Sequence, residues 1–281
     1  MALRCGSFEF SLDRPLVMGV LNVTPDSFSD GGRFMDPAAA LDHAQRMIAD
    51  GADLIDIGAE STRPGASPTP ESEELKRIVP LVEKLSGGSV PISADTRKPA
   101  VMRAAIAAGA GMINDVSALR APGALEAVAG SSQAIAVCVM HMQGEPATMQ
   151  QAPAYNDVVS EVKGFLAERA RACEAAGIAR ERIVLDPGFG FGKTVAHNLA
   201  LLRGLPAIVA LGYPVLAGLS RKSTIGALTG RDVDERVAGS LAAALAAVAR
   251  GAAIVRVHDV RETVDALRVW NAIQNGKIFR H

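Results

Sequence analysis

The chain has 281 residues, 49% hydrophobic but only 4% aromatic, so its core must be built from Ala, Val, Leu and Ile. With 29 basic and 30 acidic residues the formal net charge is -1, which excludes a nucleic-acid partner held by bulk charge, because no basic excess exists to displace counterions. Apolar runs break at a charge or a Gly before about 18 residues, too short for a membrane span. The opening MALRCGSFEFSLDRP has no apolar signal run, and Cys5, Cys138 and Cys173 are odd in number and far apart, which fits reduced thiols in a cytoplasmic protein.

In chain order, SFEFSLDRP predicts a short hairpin or plug. Eight strand-like runs follow: PLVMGVLNV (15–23), LIDIGAE (54–60), PISADT (91–96), MINDV (112–116), IAVCVMH (135–141), IVLDPG (183–188), PVLAGLS (214–220) and IVRVHDV (254–260). Near-continuous apolar runs of this kind belong to strands buried on both faces, as in a parallel sheet. Helical patterns fill the gaps. AAALDHAQRMIADGA (38–52) ends at a Gly, SEELKRIVPLVEKLSGG (72–88) opens on a capping Ser72, and KPAVMRAAIAAGA (98–110) places Pro99 just inside its start. NDVVSEVKGFLAERARACEAAG (156–177) is the longest, and RVAGSLAAALAAVARGA (236–252) and RETVDALRVWNAIQNG (261–276) come last. Strict alternation of strands and helices over a length near 250 residues predicts an α/β fold, a (β/α)8 TIM barrel, as one domain over 1–281. An open doubly wound sheet is the alternative.

A barrel of this type carries its chemistry where strands end. There the sequence offers Asn22, Glu60 to Arg63, Asp95 to Arg97, Asn114 and Asp115, His141, Asp186, Ser220 to Lys222, and Arg256 with His258. Each of the eight runs delivers a polar side chain to the same rim, which helix capping alone does not explain. Asp95, Asn114 and Asp186 suit a flat heterocycle rich in N–H groups. Arg63, Lys222, Arg256 and His258, with Asn22, suit a polyanion such as a diphosphate. The run DPGFGFGKT (186–194) is one residue short of a P-loop and does not match G-x-G-x-x-G; its glycines instead let backbone approach a ligand. Blander readings make Asp56 a buried hydrogen-bonded barrel residue, His141 a satisfied rim histidine, His43 and His197 solvent-facing, Lys193 a surface residue, and Arg97 and Lys98 caps that balance Asp95.

MGVLNVTPDSFSDGG, DIGAESTRPGA, DTRKP, INDVSAL, LDPGFGFGKT, GLSRKSTIG and RVHDV occur in the order found in dihydropteroate synthases. The sequence resembles that family from about residue 15 to 270. The resemblance implies a (β/α)8 barrel that joins 4-aminobenzoate to 6-hydroxymethyl-7,8-dihydropterin diphosphate, releasing diphosphate, in folate synthesis, with sulfonamides competing for the aminobenzoate pocket. It implies a magnesium ion at Asn22, pterin contacts from Asp95, Asn114, Asp186 and Lys222, and diphosphate contacts from Asn22, Arg63, Arg256 and His258. It further implies an aminobenzoate pocket of Thr62, Pro64, Phe191 and Ser220, closed over by Phe28. Asp95, Lys222, Arg256 and His258 are then the catalytic set.

The polar, Gly-rich stretch after Asn22 and the one around Arg63 are expected to be lids. The Ala-rich helix at 239–252, apolar around much of its circumference, is expected to carry a second buried face and hence a homodimer. Two rivals share parts of this pattern. A methyltetrahydrofolate–corrinoid methyltransferase would not need STRPGA or the Arg256/His258 pair; a non-catalytic pterin-binding paralogue would have lost lid or diphosphate residues.

Overall fold

The computed structural model describes residues 1–24, 37–61 and 68–276. Strands β1 (Ala2–Cys5) and β2 (Phe8–Ser11) form an antiparallel hairpin. The remaining strands, all parallel, are β3 (Leu16–Asn22), β4 (Leu54–Gly58), β5 (Ile92–Asp95), β6 (Met112–Asp115), β7 (Ala136–Met140), β8 (Ile183–Asp186), β9 (Leu216–Ala217) and β10 (Ile254–Val257). Their order, β8-β7-β6-β5-β4-β3-β10-β9, closes through a bridge between Leu185 and Val215, where the Leu185 amide donates to the Pro214 carbonyl at 2.9 Å. This is the (β/α)8 barrel expected from the alternation. β9 is shorter than its apolar run because Pro214 has no N–H to give the ladder.

The connecting helices are α1 (Pro37–Ala49), α2 (Glu71–Leu85), α3 (Pro99–Ala107), α4 (Ala124–Ala129), α5 (Val158–Ala175), α6 (Val195–Arg203), α7 (Leu205–Val209), α8 (Ser223–Thr229), α9 (Val237–Val248) and α10 (Val260–Asn275). Pro99 opens α3 as expected. Ser72 does not cap α2: Pro70 occupies the N-cap position, and Glu71, Glu73 and Glu74 place negative charge on the first turn. Among the described residues no helix is long and apolar enough to cross a membrane.

Side chains alternate along a strand, so every second residue points into the barrel. The inward column of β4 reads Leu54, Asp56, Gly58; that of β6 reads Met112, Asn114; that of β8, Val184, Asp186; that of β10, Ile254, Arg256. The lower members, with Leu16, Met18, Ala136, Cys138 and Leu216, pack on Leu3 and Cys5 of the hairpin. The hairpin therefore plugs the N-terminal end of the barrel, as SFEFSLDRP suggested. The outward residues, such as Val17, Ile55, Ile113 and Val255, meet the helices in one continuous apolar cluster. The barrel interior is thus apolar at its floor and polar at its mouth.

Candidate active site

The strand register sets the site. Asn22 lies beside Gly58, Gly58 beside Asp95, and Asp95 beside Asn114. Gly58 has no side chain, so this row leaves room for the Asp95 side chain, whose Cβ a Cβ there would meet at 3.4 Å and whose Oδ2 at 3.5 Å. Asp186 lies beside Met140 two strands further round.

Arg256 ties this mouth together. Its Nε donates to Asp56 Oδ2 at 2.6 Å and its Nη2 to Asp95 Oδ2 at 2.9 Å, reaching across the barrel from β10. Asn114 Nδ2 donates to the same Asp56 oxygen at 3.0 Å. The other oxygen, Asp56 Oδ1, is buried and has no hydrogen-bond partner among the described residues. Burial and the neighbouring Asp56 carboxylate push Asp95 up to about 8, against the pull of Arg256. Burial also raises Asp186, which Lys222 opposes; the Asp186 Oδ1 accepts from the Gly188 amide at 2.7 Å.

Lys222 and Ser220 flank a strained residue. Arg221 has φ of +58°, a left-handed conformation costly for a side-chain-bearing residue. α9 holds it there: the Ser240 hydroxyl accepts from its amide at 2.9 Å, and Arg236, at the head of that helix, donates to its carbonyl at 3.0 Å. Its guanidinium forks onto Asp259 at 3.1 and 2.5 Å. The strain turns Lys222 toward the Phe189 carbonyl, with its ammonium 4.4 Å from the centre of the Phe191 ring. Burial lowers Lys222 to about 8, while Asp186 works to raise it. Ser220 Oγ lies 3.1 Å from His258 Nδ1 and accepts from the His258 amide at 3.2 Å. Burial, then Arg256 and Arg221, lower His258 to about 4, so its imidazole is neutral near pH 7.

The mouth therefore brings together Asn22, Asp95, Asn114, Asp186, Ser220, Lys222, Arg256 and His258, with Phe191 at its side. Phe28, Thr62, Arg63 and Pro64, and the two stretches expected to be lids, lie outside the described residues. The expected split of acceptors from cations is not observed: Arg256 bonds two carboxylates, and Lys222 faces Asp186. Asp115 is not part of the mouth. It sits on the outward parity of β6, and its carboxylate accepts from Ser117 and Leu119 amides, both at 2.7 Å, to hold a turn. Arg97 and Lys98 do not balance Asp95; they pair with Glu60, Glu74 and Glu145.

Asp56 is fully buried and hydrogen-bonded, as read, and it is also the second carboxylate on Arg256. His141 is a satisfied rim residue. Lys193, read as a surface residue, is 3% exposed. Thr194, exposed, caps α6 by accepting from the His197 amide at 3.2 Å, and the buried Lys193 beside it does not lie open to a phosphate. Among the described residues no three His, Cys, Asp or Glu side chains gather to hold a metal. Asn22 offers one neutral amide oxygen at the mouth, a donor set that fits a hard cation only if anionic substrate and water complete its shell.

Comparison with known proteins agrees with this geometry. A profile of the family described as "pterin binding enzyme" matches residues 18–258. The dihydropteroate synthase of Neisseria meningitidis serogroup B is 54% identical over 276 residues, covering 96% of each chain. A Xanthomonas albilineans dihydropteroate synthase solved with 4-aminobenzoic acid superposes with a TM-score of 0.91 at 57% identity, over 98% of both chains. That of Burkholderia cenocepacia, complexed with 7,8-dihydropteroate, gives a TM-score of 0.88 at 55% identity, over 98% of this chain and 97% of the other. With half or more of its residues shared with these proteins along nearly its whole length, the chain belongs to the dihydropteroate synthase family.

Proposed function

We propose that this chain condenses 4-aminobenzoate with 6-hydroxymethyl-7,8-dihydropterin diphosphate to give 7,8-dihydropteroate and diphosphate. One observation carries the reading: three carboxylates, a carboxamide and two cationic side chains converge on one barrel mouth beside a neutral Ser–His pair. Asp186 and Asn114 supply hydrogen-bond partners for the pterin amide edge, and Lys222 a donor for its ring carbonyl. Asp95 faces the reduced ring. Arg256 has guanidinium N–H groups left over after its two carboxylates, and these, with Arg63, Asn22 and His258, meet the diphosphate. A polyanion there raises the His258 pKa and makes it a further cation.

The chemistry follows from charge. The methylene C–O bond breaks, its electron pair leaves with the diphosphate, and the electron-rich ring carries the cation left behind. Asp95, ionised, lowers the energy of that cation. The aniline nitrogen, unprotonated near pH 7, then forms the C–N bond and sheds a proton. Magnesium, held by Asn22 and the diphosphate oxygens, would neutralise charge on the leaving group. Ser220 and Phe191, with Thr62, Pro64 and Phe28, hold the aminobenzoate. The rival corrinoid methyl transfer has no use for Arg256 and His258 beside the carboxylates.

The testing experiment is coupled diphosphate release from dihydropterin diphosphate, 4-aminobenzoate and magnesium. Release is expected to require aminobenzoate and to collapse in Asp95→Asn and Lys222→Ala. Tight pterin binding without release would reduce the chain to a pterin binder.

The enzyme is further proposed to be a cytoplasmic homodimer. All three cysteines are buried free thiols. α9 packs between α8 and α10, and that side leaves Leu228, Val269 and Ile273 exposed, the last two at 61% and 72%. We read these exposed apolar side chains as part of the dimer face. Light scattering should give a mass of twice the 29.2 kDa chain; a monomer at micromolar concentration would refute it.

A further inference from the structure

We propose that Lys193 is a positioning residue for Lys222, acting through the loop between β8 and α6. The proposal rests on the reading of Lys222 as a pterin contact.

The loop is built against its neighbours. Gly188, Gly190 and Gly192 all have positive φ, and a Cβ on Gly188 or Gly192 would overlap the carbonyl oxygens of His141 or Gln143. A backbone of this kind has no local stiffness of its own, so its shape depends on what holds its carbonyls. Every carbonyl from 188 to 193 accepts a side-chain donor. Lys193 Nζ takes Gly188 and Phe191 at 2.9 and 3.0 Å, Lys222 takes Phe189, Gln150 takes Gly190, Tyr155 takes Gly192 at 2.8 Å, and Asn198 takes Lys193 at 3.4 Å.

Lys193 has nothing left for a ligand. Its ammonium carries three protons. Two go to the loop carbonyls and the third is shared between His141 Nδ1 at 3.0 Å and the His141 carbonyl at 3.4 Å. Burial of the cation costs free energy, which these four acceptors offset. What the arrangement achieves is the fixing of the 188–189 and 191–192 peptides, which bracket the Phe189 carbonyl that accepts from Lys222. The same clamp fixes Phe191, whose ring lies under the Lys222 ammonium. Lys193 therefore sets where the Lys222 ammonium sits relative to Asp186.

A double-mutant cycle tests this, because residues acting through one another are not additive. Affinity for a dihydropterin is measured by calorimetry in wild type, Lys193→Met, Lys222→Met and the double variant, with unfolding midpoints recorded for each. Lys193→Met is expected to weaken dihydropterin binding about tenfold or more in the wild-type background and less than about threefold in the Lys222→Met background. A folded Lys193→Met protein with unchanged affinity overturns the proposal, as does the same loss in both backgrounds. No loss in Lys222→Met alone overturns the pterin assignment of Lys222, and the proposal with it. If Lys193→Met does not fold, Lys193→Gln, which keeps two N–H donors, carries the same cycle with the same pattern expected.

Discussion

Arg256→Met is expected to destabilise the protein by about 3–5 kcal/mol, since it leaves buried charge without its partner. The same change should lower kcat/KM about 10²–10³-fold, the scale for losing a donor aimed at developing charge. Asp56 is fully buried and Asp95 partly buried, and Arg256 is the cation that bonds both, at 2.6 and 2.9 Å. Without it the two carboxylates face each other, with only the Asn114 carboxamide on Asp56 among the described residues. Asp56 Oδ1 already lacks a partner, so the pocket has no spare donor among the described residues to take over.

A control separates the two effects. Arg256→Met combined with Asp56→Asn removes the stranded charge on β4 and should recover most of the lost stability, measured by denaturant unfolding, but none of the activity. Equal stability for wild type and Arg256→Met would show that the pairing does not hold in solution. Arg256→Lys should not rescue either property, because a point charge on a flexible stem cannot bond two carboxylates at once.

The barrel was legible because its signals are long and repeated. Apolar strands, amphipathic helices and a polar residue at each strand end recur around the ring, so an error in one element left the ring intact. Element ends were less legible: α2 starts at Pro70 and Glu71 rather than at Ser72, since Ser72 already lies within the first turn. The mouth residues Asp95, Asn114, Asp186, Lys222 and Arg256 were found because motif and strand end coincide.

One error at the site is an error of direction. Asp115 looked equivalent to Asn114 in the sequence, but the strand period sends neighbours to opposite faces. The same parity, counted from Leu54 to Asp56 to Gly58, would have placed Asp56 inside with Asp95. Lys193 is a different case. No period governs a glycine-rich loop, and only coordinates show its side chain folded back under its own backbone. The partner choice of Arg97 and Lys98 was likewise hidden, because Glu60, Glu74 and Glu145 come from three distant segments.

Asp95→Asn is expected to reduce kcat by about 10²–10³-fold while changing pterin affinity by less than about tenfold, since the carboxylate acts on charge that develops only as the C–O bond breaks. The amide keeps the shape and can still accept from Arg256, so ground-state binding survives. Equal losses in kcat and affinity would remove the cation-stabilising role. The pH profile supplies a second, independent reading. Asp95 is pushed up to about 8 and Lys222 down to about 8. The active free enzyme has Asp95 ionised and Lys222 protonated, so kcat/KM should fall below about pH 8 as Asp95 gains its proton, and fall above it as Lys222 loses one. The wild-type profile is therefore a narrow bell. Asp95→Asn should lose the acid limb and keep the alkaline one, and Lys222→Met the reverse. An acid limb that persists unchanged in Asp95→Asn would assign that proton elsewhere, with Asp186, also raised by burial, as the next carboxylate to replace.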